Sequence, residues 1–347
     1  MGEALLQRSV RGMIRGRPGG CQGLWAVALV VFHVCSGLCD SGVALAQRAQ
    51  PFQIGVLTVS WGPTQYVAGL RDGLVALGYR EDQQFVMGVR FTQGDLAALP
   101  AAAHEFVQAG VDILFADSDD AAKAAQLATT RIPIVFAGVT NPLGLGLIES
   151  FARPGGNITG VTDLGLDLGP KRLEVFQEIV PGLKRVLFLY AVHGVNATAA
   201  TQVYRDAAGR LGMELVERLV RTEAEAQAVL AQVRRGEVEG ILVDSLALAL
   251  NLPGLVLETA SQVGIPTMFS TSFLVERGGL ASYGPNGHRT GRQAARLVDK
   301  ILTGVPPAVI PVETNSDIEL TINLKVAQAL GLTIPPIVLF QAKRLIR

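Results

Sequence analysis

Apolar residues change their spacing repeatedly along the chain. FQIGVLTV (52–59) is an unbroken apolar, β-branched run of strand length, the pattern of a strand buried on both faces. Over 64–77, Val67, Leu70, Leu74 and Leu77 recur at spacings of 3, 4 and 3, one stripe of a helix, and Gly78 follows as its stop. FVMGVRF (85–91), VDILFA (111–116) and IPIVFAG (132–138) read as further strands, with helices near 95–109 and 119–129 between them. Strand and helix in alternation predict a parallel sheet covered on both faces.

The pattern then restarts. KRVLFLYA (184–191) reads as a strand, and the next helix ends at Leu211-Gly212 as the earlier one ends at Leu77-Gly78. Thr222-x-x-Glu225 is a capping box opening another helix, with Val229 and Val233 on its apolar face. The strands GILVD (240–244) and IPTMFS (265–270) follow. Leu77 to Ile132 spans 55 residues and Leu211 to Ile265 spans 54, an offset of about 134. Two βαβ lobes of matching period are the simplest reading, with one large sheet as the alternative. The predicted class is α/β, two doubly wound parallel-sheet lobes.

Ligands of open α/β sheets sit beyond the carboxyl ends of the strands. The loops there read Thr58-Val59-Ser60-Trp61, Asp117-Ser118-Asp119-Asp120 and Val139-Thr140-Asn141 in the first half. In the second half they begin at Tyr190, Asp244-Ser245 and Ser270-Thr271-Ser272. Hydroxyls, amides and carboxylates of this kind fix small polar ligands, and the same residues also cap helices.

Residues 1–46 follow another logic. Arg8, Arg11, Arg15 and Arg17 precede the apolar stretch Leu24–Leu38, and Ala44-Leu45-Ala46 supplies small residues before Gln47. Basic, apolar, small is the order of a cleavable secretory signal. A membrane anchor or a buried first helix is the alternative. Cys21, Cys35 and Cys39 all fall inside this segment, so the exported chain would carry no disulfide and no thiolate. Leu38 and Val34 precede Cys39 and Cys35 where a lipid-anchored protein needs a small residue. A protein released into the periplasm without a lipid anchor is the expectation.

Composition narrows the function. Thirty basic residues balance thirty acidic ones, which argues against nucleic-acid binding. Mean hydropathy is positive, at +0.35, yet no apolar run reaches the roughly 20 residues of a spanning helix. The first strand–helix turn lacks G-x-G-x-x-G, and neither a P-loop, a G-x-S-x-G elbow nor H-E-x-x-H is present. His104 falls mid-helix, and His193 and His288 fall in predicted turns. Asp119-Asp120 at a helix start suits the dipole better than acid–base work. The sequence therefore assigns no catalytic residue, metal or cofactor.

Three long runs carry a resemblance. IPIVFAGVTNPLGLGLIESFARPGGNITGV (132–161), GGLASYGPN (278–286) with VDKILTG (298–304), and ELTINLKVAQALGLTIPP (319–336) are similar to the ABC-transporter substrate-binding family that includes tryptophan-binding lipoproteins. The likeness runs collinearly over 52–347. It implies a type I periplasmic-binding-protein fold, with two lobes joined by a three-crossover hinge. It also implies a small-molecule ligand passed to an ABC permease and its ATPase, with membrane contact only through the permease. Residues 51–161 plus 281–309 are then expected in lobe 1, and 162–280 plus 310–347 in lobe 2.

The ligand residues expected are Ser60, Trp61, Ser118, Asp119, Thr140 and Asn141 from lobe 1, with Tyr190, Asp244, Ser270 and Tyr283 completing the site. Where relatives show a turn resembling S-G-T-P, this chain has Asp117-Ser118-Asp119-Asp120. A carboxylate there favours an amine over a carboxylate in the ligand. An amino acid or related amine is the expected cargo. A same-fold sensor that signals to a membrane receptor, and a two-lobed enzyme, are the alternatives.

Overall fold

The computed structural model describes residues 50–163, 165, 167–191, 197–243 and 252–347. The segment read as a secretory signal lies outside the described residues, as do Asp244 and His193. The chain divides after Gln47, and Arg48–Arg347 form one compact unit. Among the described residues no helix is long and apolar enough to cross a membrane.

Thirteen strands arise in the described residues. The first five are β1 (Phe52–Thr58), β2 (Phe85–Phe91), β3 (Ile113–Ala116), β4 (Ile134–Val139) and β5 (Ile158–Thr162). The next five are β6 (Arg185–Ala191), β7 (Glu214–Val220), β8 (Gly240–Val243), β9 (Thr267–Phe269) and β10 (Ala281–Pro285). The last three are β11 (Glu313–Thr314), β12 (Ile318–Asn323) and β13 (Arg344–Ile346). They build two sheets, ordered β11-β5-β4-β3-β1-β2 and β13-β12-β10-β9-β8-β6-β7. The orders β2-β1-β3-β4-β5 and β7-β6-β8-β9-β10 are the same, so the period read in the sequence is a repeat of topology. Pairing is parallel apart from β12 against β10.

The helices α1 (Gln65–Ala76), α2 (Leu99–Ala109) and α3 (Asp119–Ala128) belong to the first set of strands. The second set takes α4 (Gly169–Ile179), α5 (Ala197–Arg210), α6 (Glu223–Ala231), α7 (Leu252–Val263) and α8 (Ser272–Glu276). After them come α9 (Gly287–Leu302), α10 (Leu324–Ala329) and α11 (Pro336–Gln341). Polar caps set several starts. Thr64, Ser118, Asn286 and Asn323 each accept a backbone N–H three residues on, at 3.0–3.3 Å. Thr222 caps α6 by accepting from Glu225 N at 3.1 Å, while the Glu225 carboxylate reaches back to Arg221 N at 2.8 Å. The capping box read in the sequence is therefore formed.

Each sheet is buried on both faces. Val56, Leu70, Phe115 and Leu297 fill one face of the first sheet, and Leu57, Phe106, Leu114 and Phe136 fill the other. In the second lobe Phe176, Phe188 and Leu242 face one side, and Leu189, Ile241 and Phe269 the other.

Three segments connect the lobes. One runs from Asp163 at the end of β5 to the start of α4, one is Asn286 between β10 and α9, and one is 315–317 between β11 and β12. Two of these differ from the boundaries expected at 281 and 310. β10 pairs with β9 and β12 in the second sheet, where a Cβ on Gly284 would lie 2.0 Å from Ser270 O. The return to lobe 1 thus falls at Asn286, and α9 packs on α1. Residues 310–314 stay in lobe 1, because Thr159 Oγ1 donates to Ile310 O at 2.8 Å, Val312 N donates to Phe151 O at 2.8 Å, and β11 pairs with β5. His288, expected in a turn, opens α9 with Nε2 2.7 Å from Asp72 Oδ2 on α1.

Candidate functional site

All three crossings leave from carboxyl ends of parallel strands, or enter β12 beside the carboxyl end of β10. That end of both sheets is where this fold receives a ligand.

On the lobe 1 side the floor is acidic. Asp117 follows β3 and is 7% exposed. Thr64 Oγ1 donates to its Oδ2 at 2.7 Å. Burial pushes the Asp117 carboxyl up to about 6, against the opposing pull of the Thr64 and Thr58 hydroxyls. Asp163 follows β5 and is 4% exposed. It accepts from the Tyr66 hydroxyl and, at 3.1 Å, from Thr290 Oγ1. Burial raises Asp163 to about 6 as well; the two hydroxyls oppose that shift and the nearby Asp119 charge adds to it. Burial, then Asp163 and the charges of Asp117 and Asp119, hold the Tyr66 phenol well above its ordinary value. Tyr66 is the neutral donor among these acids.

Glycine makes room for this arrangement. Gly138 interrupts the β4–β5 register at φ 73°, a conformation that disfavours a side chain. A Cβ there would also lie 2.7 Å from the Tyr66 ring.

Several residues expected at the site are engaged in holding the loops. Asp119 Oδ1 and Oδ2 accept from Thr140 N at 2.8 Å and from Thr140 Oγ1 at 2.7 Å, tying the start of α3 to the loop after β4. Asn141 Oδ1 accepts from Gly144 N at 2.9 Å, closing its own turn. Ser118 caps α3, and Ser60 Oγ lies 3.0 Å from Thr58 Oγ1 in the turn after β1. Trp61 is 55% exposed in that same turn. The structure thus brings Ser60, Trp61, Ser118, Asp119, Thr140 and Asn141 to the carboxyl ends of β1, β3 and β4.

Lobe 2 presents tyrosines. Tyr190 stacks on Phe188 with ring centroids 5.4 Å apart, and its hydroxyl donates to Glu217 at 3.2 Å. Tyr283 packs on the same core cluster, and its carbonyl accepts from Arg172 Nε at 2.9 Å. Arg172 is 1% exposed and also donates to the Tyr204 hydroxyl. Ser270 follows β9 beside Gly284, half-buried.

Sequence reasoning passed over Tyr66, Asp163, Thr290 and Asn315. Asp163 carried a signal, a lone acid ending an apolar strand. The other three look like ordinary helix or loop residues. Elsewhere a groove of about 640 Å³ lies at the amino end of β6, lined by Arg185, Arg218, Arg234 and Glu237. Arg185 is paired there with Glu214 at 2.9 Å. Among the described residues no group of three His, Cys, Asp or Glu is placed to hold a metal.

Two repeated α/β lobes, three crossings and a polar floor at the strand ends define a two-lobed binding protein of the type I periplasmic class. The chain belongs to the ABC transporter substrate binding protein family, whose pattern it matches over residues 53–346. It is 30% identical over 257 residues to a tyrosine-binding protein of Clostridioides difficile, covering 74% of this chain and 73% of that one. Among solved structures it resembles a conserved domain protein from Vibrio cholerae, with 29% identity, TM-score 0.78, and 85% of this chain and all of that one covered. It also resembles an ABC domain in complex with L-Trp from Streptococcus pneumonia, with 27% identity and TM-score 0.75, over 86% of this chain and all of that one.

Proposed function

We propose that this protein is the periplasmic capture component of an ABC importer, holding an amino acid or related amine between its lobes for delivery to a permease and its ATPase. The observation that carries the ligand class is the pair of buried carboxylates at the strand ends. Asp117 and Asp163 accept from hydroxyls, and among the described residues no Lys, Arg or His is paired with either. An ammonium group arriving there supplies the missing countercharge. Ser118, Thr140 and Asn141 shape the same rim, and the exposed Trp61 offers an aromatic face to a planar or cationic ligand. From lobe 2, Tyr190, Asp244, Ser270 and Tyr283 close on the other end. The aromatic amino acids in the relatives' names fit this chemistry, and the basic, apolar, small order of residues 1–46 fits export. Capture works by lobe closure, since contacts to both lobes are complete only in the closed form, which the ligand therefore favours.

The test is the melting temperature against L-tyrosine, L-tryptophan, other amino acids, their des-amino acids and their des-carboxy amines. A ligand at 100 times its dissociation constant adds about 2.7 kcal/mol of stability. Stabilisation by compounds carrying the amine and none by the des-amino acids is expected. Equal stabilisation by des-amino acids would overturn the assignment.

A further inference from the structure

The three crossings are far apart in sequence, yet one buried hydrogen-bonded cluster reaches all of them. Asp163 opens the first crossing. Its carboxylate accepts from Tyr66 on α1 and from Thr290 on α9, and its N–H donates to Val139 O at 3.3 Å. Asn315 opens the third crossing. Its Nδ2 donates to Thr290 Oγ1 at 2.8 Å and to Asn286 O, at the second crossing, at 3.2 Å. Asn315 N donates to Thr162 O at 3.0 Å, which continues the β5–β11 pairing up to the point where the chain leaves. Asp163, Thr290 and Asn315 are all buried.

Each of these partners sits on the lobe 1 side. The last fixed points before lobe 2 are therefore Asp163, Asn286 and Asn315, and they are fixed to one another. Beyond them the contacts change character. Asn286 Nδ2 reaches Glu319 at 3.0 Å, and Asp317 pairs with Arg289 of α9 and Lys343 of lobe 2. Those groups are more exposed, where ion pairs are weak and adaptable.

We infer that Asp163 is a positioning residue for lobe closure, gathering the three crossings into one pivot so that lobe 2 swings as a rigid body about a single axis. Without that carboxylate, Tyr66 and Thr290 lose their common acceptor, and the first crossing loses its side-chain tie to the other two. The mean separation of the lobes would then spread, while the fold within each lobe stays as it is. This deepens the capture reading, because a ligand that must bridge two lobes binds tightly only if their approach is preorganised.

The test uses no ligand, so its outcome is separate from that of the transport reading. Cys21, Cys35 and Cys39 are the chain's three cysteines. With these changed to serine, spin labels at Leu127→Cys in lobe 1 and Gln232→Cys in lobe 2, both exposed, report interlobe distances by pulsed electron resonance. Asp163→Ala is expected to widen the distance distribution at least twofold. Asp163→Asn keeps an acceptor and a donor at the same place and is expected to restore the narrow distribution. If Asp163→Ala fails to fold, the double variant Tyr66→Phe, Thr290→Val removes both hydroxyl donors to Asp163, and with Thr290 the acceptor of Asn315 Nδ2, and carries the test. An unchanged distribution in whichever of these folds would overturn the inference.

Discussion

The helices on the hinge side of the two sheets are packed by opposite means. In lobe 1, α1 and α9 touch backbone to backbone. A Cβ on Gly69 would lie 2.0 Å from His288 O, and one on Gly291 would lie 2.1 Å from Tyr66 O. In lobe 2, α4 and α5 are held apart and the seam is filled by Arg172, Tyr204, Phe176 and Phe188. The same strand order thus supports a seam with almost no side chains and a seam made of the largest ones. The difference follows from what each seam must hold. Lobe 1 anchors the crossings, so α9, which starts at the second crossing, must come within reach of Asp163 and Tyr66. Lobe 2 has no such demand and fills its seam with bulk.

The sharpest way to break the comparison is to place a methyl group in each seam. Gly69→Ala meets a carbonyl on a packed helix, which cannot step aside without moving α9. A loss of about 3 kcal/mol in urea unfolding is expected. Gly169→Ala in lobe 2 meets only side-chain atoms of Tyr204 and Val203 at 3.3 Å, and the loss should stay within about 1 kcal/mol. Comparable losses at both positions would mean that the lobe 1 seam is no tighter than its counterpart.

The second contrast is electrical. Lobe 1 buries two carboxyls raised to about 6, Asp117 and Asp163, whereas lobe 2 buries a guanidinium, which stays charged at every accessible pH. A carboxyl with an ordinary value of 3.8 and a folded value of about 6 leaves the folded form holding more protons across that window. Stability therefore falls as pH rises through it, and the cost is complete above 6. Lowering the pH from 7.5 to 5 should stabilise the protein by roughly 1 kcal/mol for either group. The paired Asp317 is held below its ordinary range, chiefly by Lys343. Its contribution is lost only at lower pH still. Hydrogen exchange, corrected for intrinsic rates, should slow in β3–β5 on acidification and hold steady in β6–β9. Equal slowing in both lobes, or a pH response that survives Asp117→Asn with Asp163→Asn, would show that these carboxyls are not its source.

How much of this was legible in the sequence depends on how local the signal is. The strand runs that include Phe52, Phe85 and Arg185 and the capping box at Thr222 rest on neighbours within a few residues, and they came through. The repeat did too, because helix stops at Gly78 and Gly212 mark the same place in each lobe. Residues 281–285 were expected in lobe 1 because the resemblance implied a crossing just before them. The pairing that makes them a strand of lobe 2 comes from residues 268–269 and 318–322. The hinge cluster was illegible for the same reason. Tyr66, Thr290 and Asn315 are each unremarkable where they stand, Asp163 shows only as a lone acid after a strand, and only the fold brings the four together. Asp119 and Asn141 have the composition of ligand residues, but the hydrogen bonds that shape the loops occupy them.

Lobe 2 offers a third, smaller test of its seam. Arg172→Met keeps much of the apolar length of the side chain and removes the donors to Tyr283 O and the Tyr204 hydroxyl. The carbonyl and the hydroxyl would each lose a charged donor, so a loss of roughly 2 kcal/mol is expected, with exchange accelerating at β10 and in α5 while the α1–α9 pair is unaffected. A neutral substitution would mean that the guanidinium contributes bulk alone, as the neighbouring phenylalanines do.

The smallest expected effect has the opposite sign. Gly209 lies on α5, exposed, with nothing within 4 Å of where a Cβ would stand. It does no close-packing work of the kind Gly69 does, and its cost in a helix interior is purely conformational. Gly209→Ala should therefore stabilise the protein by about 0.5–1 kcal/mol. The same change thus has opposite signs on α1 and on α5, because a glycine is required only where another backbone occupies the space its side chain would take. A destabilised Gly209→Ala protein would place an unseen neighbour against α5 and end the contrast between the two seams.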